Sequence, residues 1–252
     1  MSDQPFAAAR VVVTGGGSGI GRAAALAFAD AGAASVVVTG RRADRLAEVA
    51  AAHPAVVPVV ADVATAAGAD RVAEAVEAAG GVVDVLVHNA GIFRFTPVDG
   101  LDADVAQEVL ATNLLGPLLL TGRLLPTLRA GAAVVMVSSR AGHNPTPGAS
   151  VYGASKAALD NLTRSWAAEL APRGVRVNAV APGFVRTDAY AANGMPPAAV
   201  EGLFAQVAST VPLGEVGEVD DVVPWITALA APTSRLVTGQ VVTIDGGLDV
   251  AA

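Results

Sequence analysis

A chain of 252 residues, 53% hydrophobic and only 15% charged, has the size and apolar content of one large α/β domain. The net charge of −7 argues against a nucleic-acid partner, and zero cysteines with only three scattered histidines (His53, His88, His143) exclude disulfides, thiolate sites and a histidine metal cluster. No run of roughly eighteen uncharged apolar residues appears and the start, MSDQPFAAAR, lacks a basic stretch, so neither a membrane span nor a secretory signal is read and the cytoplasm is expected.

Arg10 to Thr14 (RVVVT) is a β-branched run of the kind found in a strand buried on both faces. It opens into the loop Gly15–Gly21 and then into a helix ending at Gly32. Backbone N–H groups at such a helix start form an anion site for a pyrophosphate. The spacing is T-G-x-x-x-G-x-G, carried by Thr14, Gly15, Gly19 and Gly21, and differs from the common G-x-G-x-x-G. A second strand, Ser35 to Thr39, leads to Gly40-Arg41-Arg42, where an acidic residue would bond the ribose 2′-hydroxyl of NAD. Two guanidinium groups stand there instead and suit a 2′-phosphate, so NADP(H) is expected over NAD(H). Arg45 reads as a solvated helix residue, and Ser18 adds no second cation.

The third strand, Ala55 to Ala61, closes at Asp62-Val63 before a helix from Ala66 to Ala79. The Asp62 carboxylate either accepts from an adenine amino group or caps the turn. Val83 to Val87 is the fourth strand and continues into His88-Asn89-Ala90-Gly91, small residues at the point where a doubly wound sheet reverses direction. Phe93 and Phe95 follow, as core or as substrate wall. One long helical region is expected from Leu101 to Leu128, with Asn113 on its apolar face in need of a buried partner. Ala132 to Val137 forms the fifth strand and delivers Ser138 and Ser139; a helix spans Ser150 to Ala171; Val175 to Ala181 is the sixth strand. Asp188 to Pro212 is read as an irregular insertion that covers the site as a lid. A helix from Glu218 to Ala230 and a strand from Val237 to Ile244 complete one domain, residues 1–252, with a doubly wound parallel sheet.

Chemistry concentrates between Ser139 and Lys156. Tyr152 and Lys156 are four residues apart, hence one above the other on a helix face. An ammonium close to a phenol favours the phenolate and draws its pKa down toward the working range for proton transfer. Ser139 can hydrogen-bond a substrate oxygen beside them. Lys156 is the only lysine in the sequence; the other 15 of its 16 basic residues are arginine. A chain that uses arginine everywhere else needs a compact, rotatable ammonium here.

Thr14–Gly21, Asp62-Val63, Asn89–Gly91, Asn113, Ser139, Tyr152–Lys156, Pro182–Thr187 and the terminal TGQVVTIDGG stand together in one order, and with them nearly the whole chain resembles the short-chain dehydrogenase/reductase superfamily. The resemblance implies a Rossmann-type sheet of about seven strands and a nicotinamide-dependent oxidoreductase. Tyr152 would be the general acid in reduction and the base in oxidation, Lys156 would tune it and hold the nicotinamide ribose, and Ser139 would orient the carbonyl. Asn113 would position a water that joins Lys156 to solvent. Cofactor contacts are implied at Thr14, Gly15, Gly17, Ser18, Gly19, Ile20, Gly21, Arg41, Arg42, Asp62, Val63, Asn89, Ala90, Gly91, Pro182, Gly183, Val185 and Thr187. His143, Asn144, Tyr190, Met195 and Phe204 would line or cover the substrate pocket, with plain loop residues as the other reading of His143 and Asn144. Relatives by pattern are 3-oxoacyl reductases and secondary-alcohol or steroid dehydrogenases, often tetramers. The expected activity is ketone reduction on a small molecule; a catabolic NAD-dependent alcohol dehydrogenase and a non-catalytic nicotinamide sensor are the alternatives. Arg129 and Arg173 are the candidate basic residues for an acidic carrier protein.

Overall fold

The computed structural model describes residues 4–251. In chain order its main elements are β1 (Arg10–Thr14), α1 (Gly19–Asp30), β2 (Ser35–Gly40), α2 (Ala43–Ala52), β3 (Val56–Val60), α3 (Ala66–Ala78) and β4 (Val83–His88). They continue with α4 (Ala103–Leu110), α5 (Gly116–Leu124), β5 (Leu128–Val137), α6 (Ser150–Leu170), β6 (Arg176–Pro182), α7 (Ala189–Ala192), α8 (Pro197–Ala208), α9 (Val219–Ala230) and β7 (Val241–Ile244). The seven strands pair in the order β3-β2-β1-β4-β5-β6-β7, and every pairing is parallel. Strand order reverses between β1 and β4, so a crevice opens at their carboxyl ends.

The valine-rich strands form because their side chains are buried on both faces. Val11, Val13, Val36, Val38, Val87 and Val135 turn toward the layer of α1, α2 and α9, while Val12, Val37, Leu86, Val134 and Met136 turn toward α3, α5 and α6. Each fully buried side chain of this kind contributes roughly 1.5–3 kcal/mol. Register follows from the alternation, since a slip of one residue would exchange the two faces.

Arg176 carries a charge into this core at the start of β6. Its guanidinium donates to Leu229 O (2.7 Å), Ala230 O (3.1 Å), Ala231 O (3.2 Å) and Val237 O (3.3 Å). Three of these carbonyls end α9, lack intrahelical partners and sit at the negative end of its dipole. Arg176→Met removes the donor from Leu229 O and Ala230 O, while Ala231 O keeps Ser234 N at 3.0 Å. It is expected to lower the unfolding free energy by about 3 kcal/mol, read from urea denaturation midpoints; an unchanged midpoint would show that the cap is dispensable.

Three expectations are corrected. The helix expected from Leu101 to Leu128 is broken: a π-helical turn, Ala111–Leu115, separates α4 from α5, and β5 already begins at Leu128, which is 3% exposed. The last strand begins at Val241, not Val237. Around Val237, side chains take the place of ladder bonds: Asn178 Nδ2 donates to Val237 O at 2.9 Å, and Thr238 Oγ1 accepts from Val177 N at 3.0 Å. The insertion 188–212 is mostly helical, with α7 and α8 in it.

Candidate active site

The glycine loop owes its shape to a staple between β1 and β4. Thr14 Oγ1 accepts from the N–H of Asn89 (3.0 Å) and of Ala90 (2.9 Å). Asn89 Nδ2 returns bonds to Thr14 O (3.0 Å) and Gly15 O (3.1 Å). The Asn89 amide therefore holds the loop in place. Gly15 has φ +64°, and a Cβ at Gly21 would lie 2.3 Å from Asn89 Nδ2 and 2.4 Å from Gly15 O. Only glycine fits at these two positions. A Cβ at Gly19 would meet Thr187 Cγ2 at 3.5 Å, which sets Thr187 across the loop. Ile20 packs against the core below, and Gly17 lies against Arg45.

Arg42 precedes α2 and donates from Nη2 to Ser18 Oγ at 3.2 Å, while Arg41 beside it is exposed. Arg45 is exposed, as expected of a solvated helix residue, and pairs with Glu48 at 3.3 Å. Together with Arg22, Gly17, Ser18 and Thr187 it lines a cleft of about 550 Å³. Asp62 takes the capping role on one oxygen: Oδ1 accepts from Ala64 N at 3.1 Å. Val63 is buried under the start of α5, where Gly116 leaves room for its backbone. After β6, Gly183 N donates to Ile244 O at 2.8 Å. The Val185 side chain packs into the core. Val185 pairs with Gly217 through the C=O of Phe184 (2.9 Å) and the N–H of Arg186 (2.9 Å). Its own N–H and C=O point away from that pairing.

Ser139 leaves β5 and caps the short turn Arg140–Gly142, its Oγ accepting from Ala141 N at 3.2 Å. α6 brings Tyr152 and Lys156 beside it. The first turn of α6 has no side-chain cap of its own; buried Thr96 supplies one, accepting from Val151 N (3.2 Å) on Oγ1 and from Ser150 Oγ (2.7 Å) on its carbonyl. Asn113 in the π turn is 0% exposed and fully bonded. Its Oδ1 accepts from Ile92 N (2.8 Å), and its Nδ2 donates to Ile92 O (2.9 Å) and Ser155 Oγ (3.0 Å). Both amide N–H groups serve the scaffold, so the buried partner required by the sequence is Ile92 and α6. Ser155 Oγ in turn donates to Tyr152 O at 2.7 Å. Lys156 Nζ donates to Val137 O at 2.8 Å and lies 5.7 Å from the centre of the Tyr152 ring. A Cβ at Gly91 would come within 3.4 Å of both Lys156 Nζ and Asn113 Oδ1, so glycine there keeps the ammonium approachable.

The electrostatics correct one expectation. Burial raises the Tyr152 phenol above its ordinary value, and a hydrogen bond with Ser139 works against it. The Lys156 ammonium, 5.7 Å from the ring centre and bonded to Val137 O, does not offset that burial. Burial instead lowers Lys156 to about 8, opposed by the Asp160 carboxylate.

On the substrate side, Phe93 stacks edge-on against Tyr152 (5.1 Å) and against Phe95 (5.1 Å). Tyr190 is pushed up to about 12 by burial and then by Tyr152, which puts the two phenols in one neighbourhood. Phe204 is 2% exposed, stacked on Tyr190 at 5.0 Å and under Arg186 at 4.6 Å, and lines a cleft with Arg186 and Glu201. Met195 is half-buried in the turn between α7 and α8, its N–H bonded to Tyr190 O at 3.2 Å. Of the two readings of His143 and Asn144, the loop one fits their bonds: both side chains donate to Asp249, at 2.6 and 2.9 Å. Sequence reasoning missed Thr96, Asp160 and Asp249; of these only Asp160, four residues after Lys156 on α6, left a local signal.

A cofactor cradle and a Ser–Tyr–Lys group on opposite sides of the switch point define an oxidoreductase of the nicotinamide type. Comparison with known proteins agrees. The family model described as enoyl-(acyl carrier protein) reductase matches residues 15–249. The chain is 38% identical over 242 residues to 3-oxoacyl-(acyl-carrier-protein) reductase FabG of Thermotoga maritima, covering 94% of this chain and 96% of that protein. It is 36% identical over 253 residues to 2,3-dihydro-2,3-dihydroxybenzoate dehydrogenase of Escherichia coli, covering 98% and 99%. A gluconate 5-dehydrogenase from Burkholderia cenocepacia, solved with NADP and tartrate, superimposes with a TM-score of 0.88 at 29% identity over 99% of each chain. The chain belongs to the short-chain dehydrogenase/reductase family and acts on CH–OH or carbonyl groups. Among the described residues no helix is long and apolar enough to cross a membrane, and no cluster of His, Cys, Asp or Glu could hold a metal ion.

Proposed function

We propose that the protein reduces a small-molecule ketone to a secondary alcohol with NADP(H), Tyr152 giving the proton to the carbonyl oxygen. The observation that carries this reading is the convergence at the switch point of buried Ser139 and Lys156 with half-buried Tyr152 and the Gly91 backbone. The stapled loop Gly15–Gly21, the start of α1, Asn89–Gly91, Val185 and Thr187 fit a dinucleotide; when bound, its nicotinamide supplies the hydride. Ser139 Oγ holds the carbonyl oxygen, and the Tyr152 hydroxyl protonates it. The Tyr152 phenol carries its proton at neutral pH and can give it to the carbonyl oxygen; burial makes it a weaker acid, and the Ser139 hydrogen bond works against that. Lys156 is an ammonium below about 8. Above that value its charge is lost, so the ketone-reduction rate is expected to fall as pH rises through about 8, measured as a pH–kcat profile; a flat profile from pH 6 to roughly 10 would remove the lysine from the proton path.

Preference for NADP(H) is supported by Arg42, whose bond to Ser18 sets a guanidinium over the glycine loop. Fluorescence titration of wild type is expected to give NADPH binding at least about tenfold tighter than NADH, and the Arg41→Ala/Arg42→Ala variant to lose that preference. Tighter NADH binding by wild type would turn the reading to an NAD-dependent alcohol oxidation. A free ketone is favoured over a carrier-bound one. Arg129 pairs with the buried Asp84, and Arg173 donates to Leu125 O at 2.7 Å. Both lie at the amino ends of the strands, the far side of the sheet from Tyr152. The lid reading of residues 188–212 rests on Arg94, whose Nη1 donates to Asn193 Oδ1 at 2.8 Å, and on Arg186, which pairs with Glu201 at 2.9 Å. Leu110 at the end of α4, Leu115 in the π-helical turn and Leu118 on α5 are exposed and support a homo-oligomer.

A further inference from the structure

Asp249, three residues from the end of the chain, gathers three side chains from the turn that follows Ser139. Arg140 Nε donates to Oδ1 at 2.7 Å, Asn144 Nδ2 to Oδ1 at 2.9 Å, and His143 Nε2 bonds Oδ2 at 2.6 Å. Arg140 and Asp249 each retain only 14% of their side-chain exposure. Burial alone would push the Asp249 carboxyl up; the bonds from Arg140, Asn144 and His143 outweigh it and hold it below the usual carboxylate range.

The carboxylate is itself fixed from behind. Asp245 accepts from Gly247 N (2.9 Å) and from Asp249 N (2.8 Å), which closes a turn after β7. Gly246 O accepts from Leu213 N at 3.2 Å, at the base of the 188–212 segment. On the other side, His143 Nδ1 lies 3.6 Å from Asp160 Oδ2. Asp160 Oδ1 accepts from Ser138 Oγ at 2.6 Å and Asp160 faces Lys156. Ser139 thus sits between two anchored neighbours, Ser138 held by Asp160 and Arg140 held by Asp249.

We propose that Asp249 is a positioning residue for catalysis: the carboxyl-terminal turn clamps the Arg140–Asn144 segment and so sets the Ser139 hydroxyl against Tyr152. The clamp rests on the reading of Ser139 and Tyr152 as the carbonyl-binding and proton-donating groups. It acts on the substrate side, since none of its members touches the glycine loop. A displacement of about 1 Å in such a group costs on the order of 10²-fold in rate, so a loosened turn is felt in kcat.

The test is steady-state ketone reduction by Asp249→Asn, Asp249→Glu and His143→Gln, with NADPH affinity by fluorescence and thermal midpoint measured on each. Asp249→Asn keeps the size of the side chain and removes its charge. It is expected to lower kcat about tenfold, with NADPH affinity within about twofold of wild type; Asp249→Glu recovers most of the loss. His143→Gln removes one arm at a position with 38% side-chain exposure, and about a threefold loss in kcat without a change in midpoint is expected. Wild-type kcat in Asp249→Asn overturns the clamp. So does a kcat loss that tracks a lower midpoint and weaker NADPH binding in all three variants, because that is the pattern of general destabilisation. Tyr152→Phe is run alongside: if it turns over normally, the reading of the site fails, whereas an inactive Tyr152→Phe beside a normal Asp249→Asn removes only the clamp.

Discussion

Phenylalanine at position 152 is expected to lower kcat/KM for ketone reduction by about 10³-fold while NADPH binding stays within about twofold of wild type. The substitution is clean because the ring is held by packing. Phe93 stacks on it edge-on at 5.1 Å, and α6 fixes its backbone through Ser155 and the Thr96 cap. What leaves is the hydroxyl alone, with its bond to Ser139. Without it the carbonyl oxygen keeps one hydrogen-bonding partner, Ser139, and has no nearby acid. Lys156 does not fill the gap, because its ammonium bonds Val137 O at 2.8 Å. Stability should hold, since the phenol is neutral at working pH in the folded and unfolded chain alike and Phe fills the same space. The measurement is NADPH oxidation in the presence of a ketone panel, together with cofactor fluorescence on the same preparations. A rate within about tenfold of wild type would leave Tyr152 without the proton-transfer role.

The parts of the molecule written in adjacent residues were legible in the sequence. RVVVT, SVVVTG and VDVLVH become β1, β2 and β4 because β-branched side chains fit a sheet covered on both faces. The glycine loop announces itself because two of its positions admit no Cβ, and Tyr152 and Lys156 share a helix face by spacing alone. What could not be read depends on partners remote in sequence. Asn113 asked for a buried partner, yet nothing local named Ile92 or Ser155, 42 residues away on α6. Thr96 caps a helix 55 residues downstream. The sequence leaves His143 and Asn144 open between pocket wall and plain loop, because the carboxylate that claims them lies 106 and 105 residues further on. The expected fall in the Tyr152 pKa is overridden by burial of the phenol, which residue spacing does not report. Spacing of four residues fixes which face two side chains share, but it does not fix which atom the ammonium bonds, and Val137 O takes it.

Arginine in place of Lys156 is expected to reduce kcat/KM by about 10²-fold or more, despite the conserved charge. The ammonium occupies a small volume: Val137 O accepts from it at 2.8 Å, and a Cβ at Gly91 would already be 3.4 Å away. A planar guanidinium is two heavy atoms longer and must displace either Gly91 or the Tyr152 ring. It also stays charged, so the fall in rate that wild type shows through about pH 8 should vanish from the residual activity. Methionine supplies the complementary variant, since it matches the length and carries no charge. The sign of its effect on stability follows from the depressed pKa. The ammonium, lowered from 10.5 to about 8 in the fold, is penalised there at every pH below about 8, and the penalty fades as pH rises toward 10.5. Lys156→Met should therefore be most stable relative to wild type below pH 8, with the difference shrinking between pH 8 and 10.5. Urea titrations across that range test the electrostatics, and turnover assays on both variants test the chemistry. A near-normal rate in Lys156→Arg would mean that the single lysine serves neither, and that a chain otherwise built on arginine had no chemical reason to keep it.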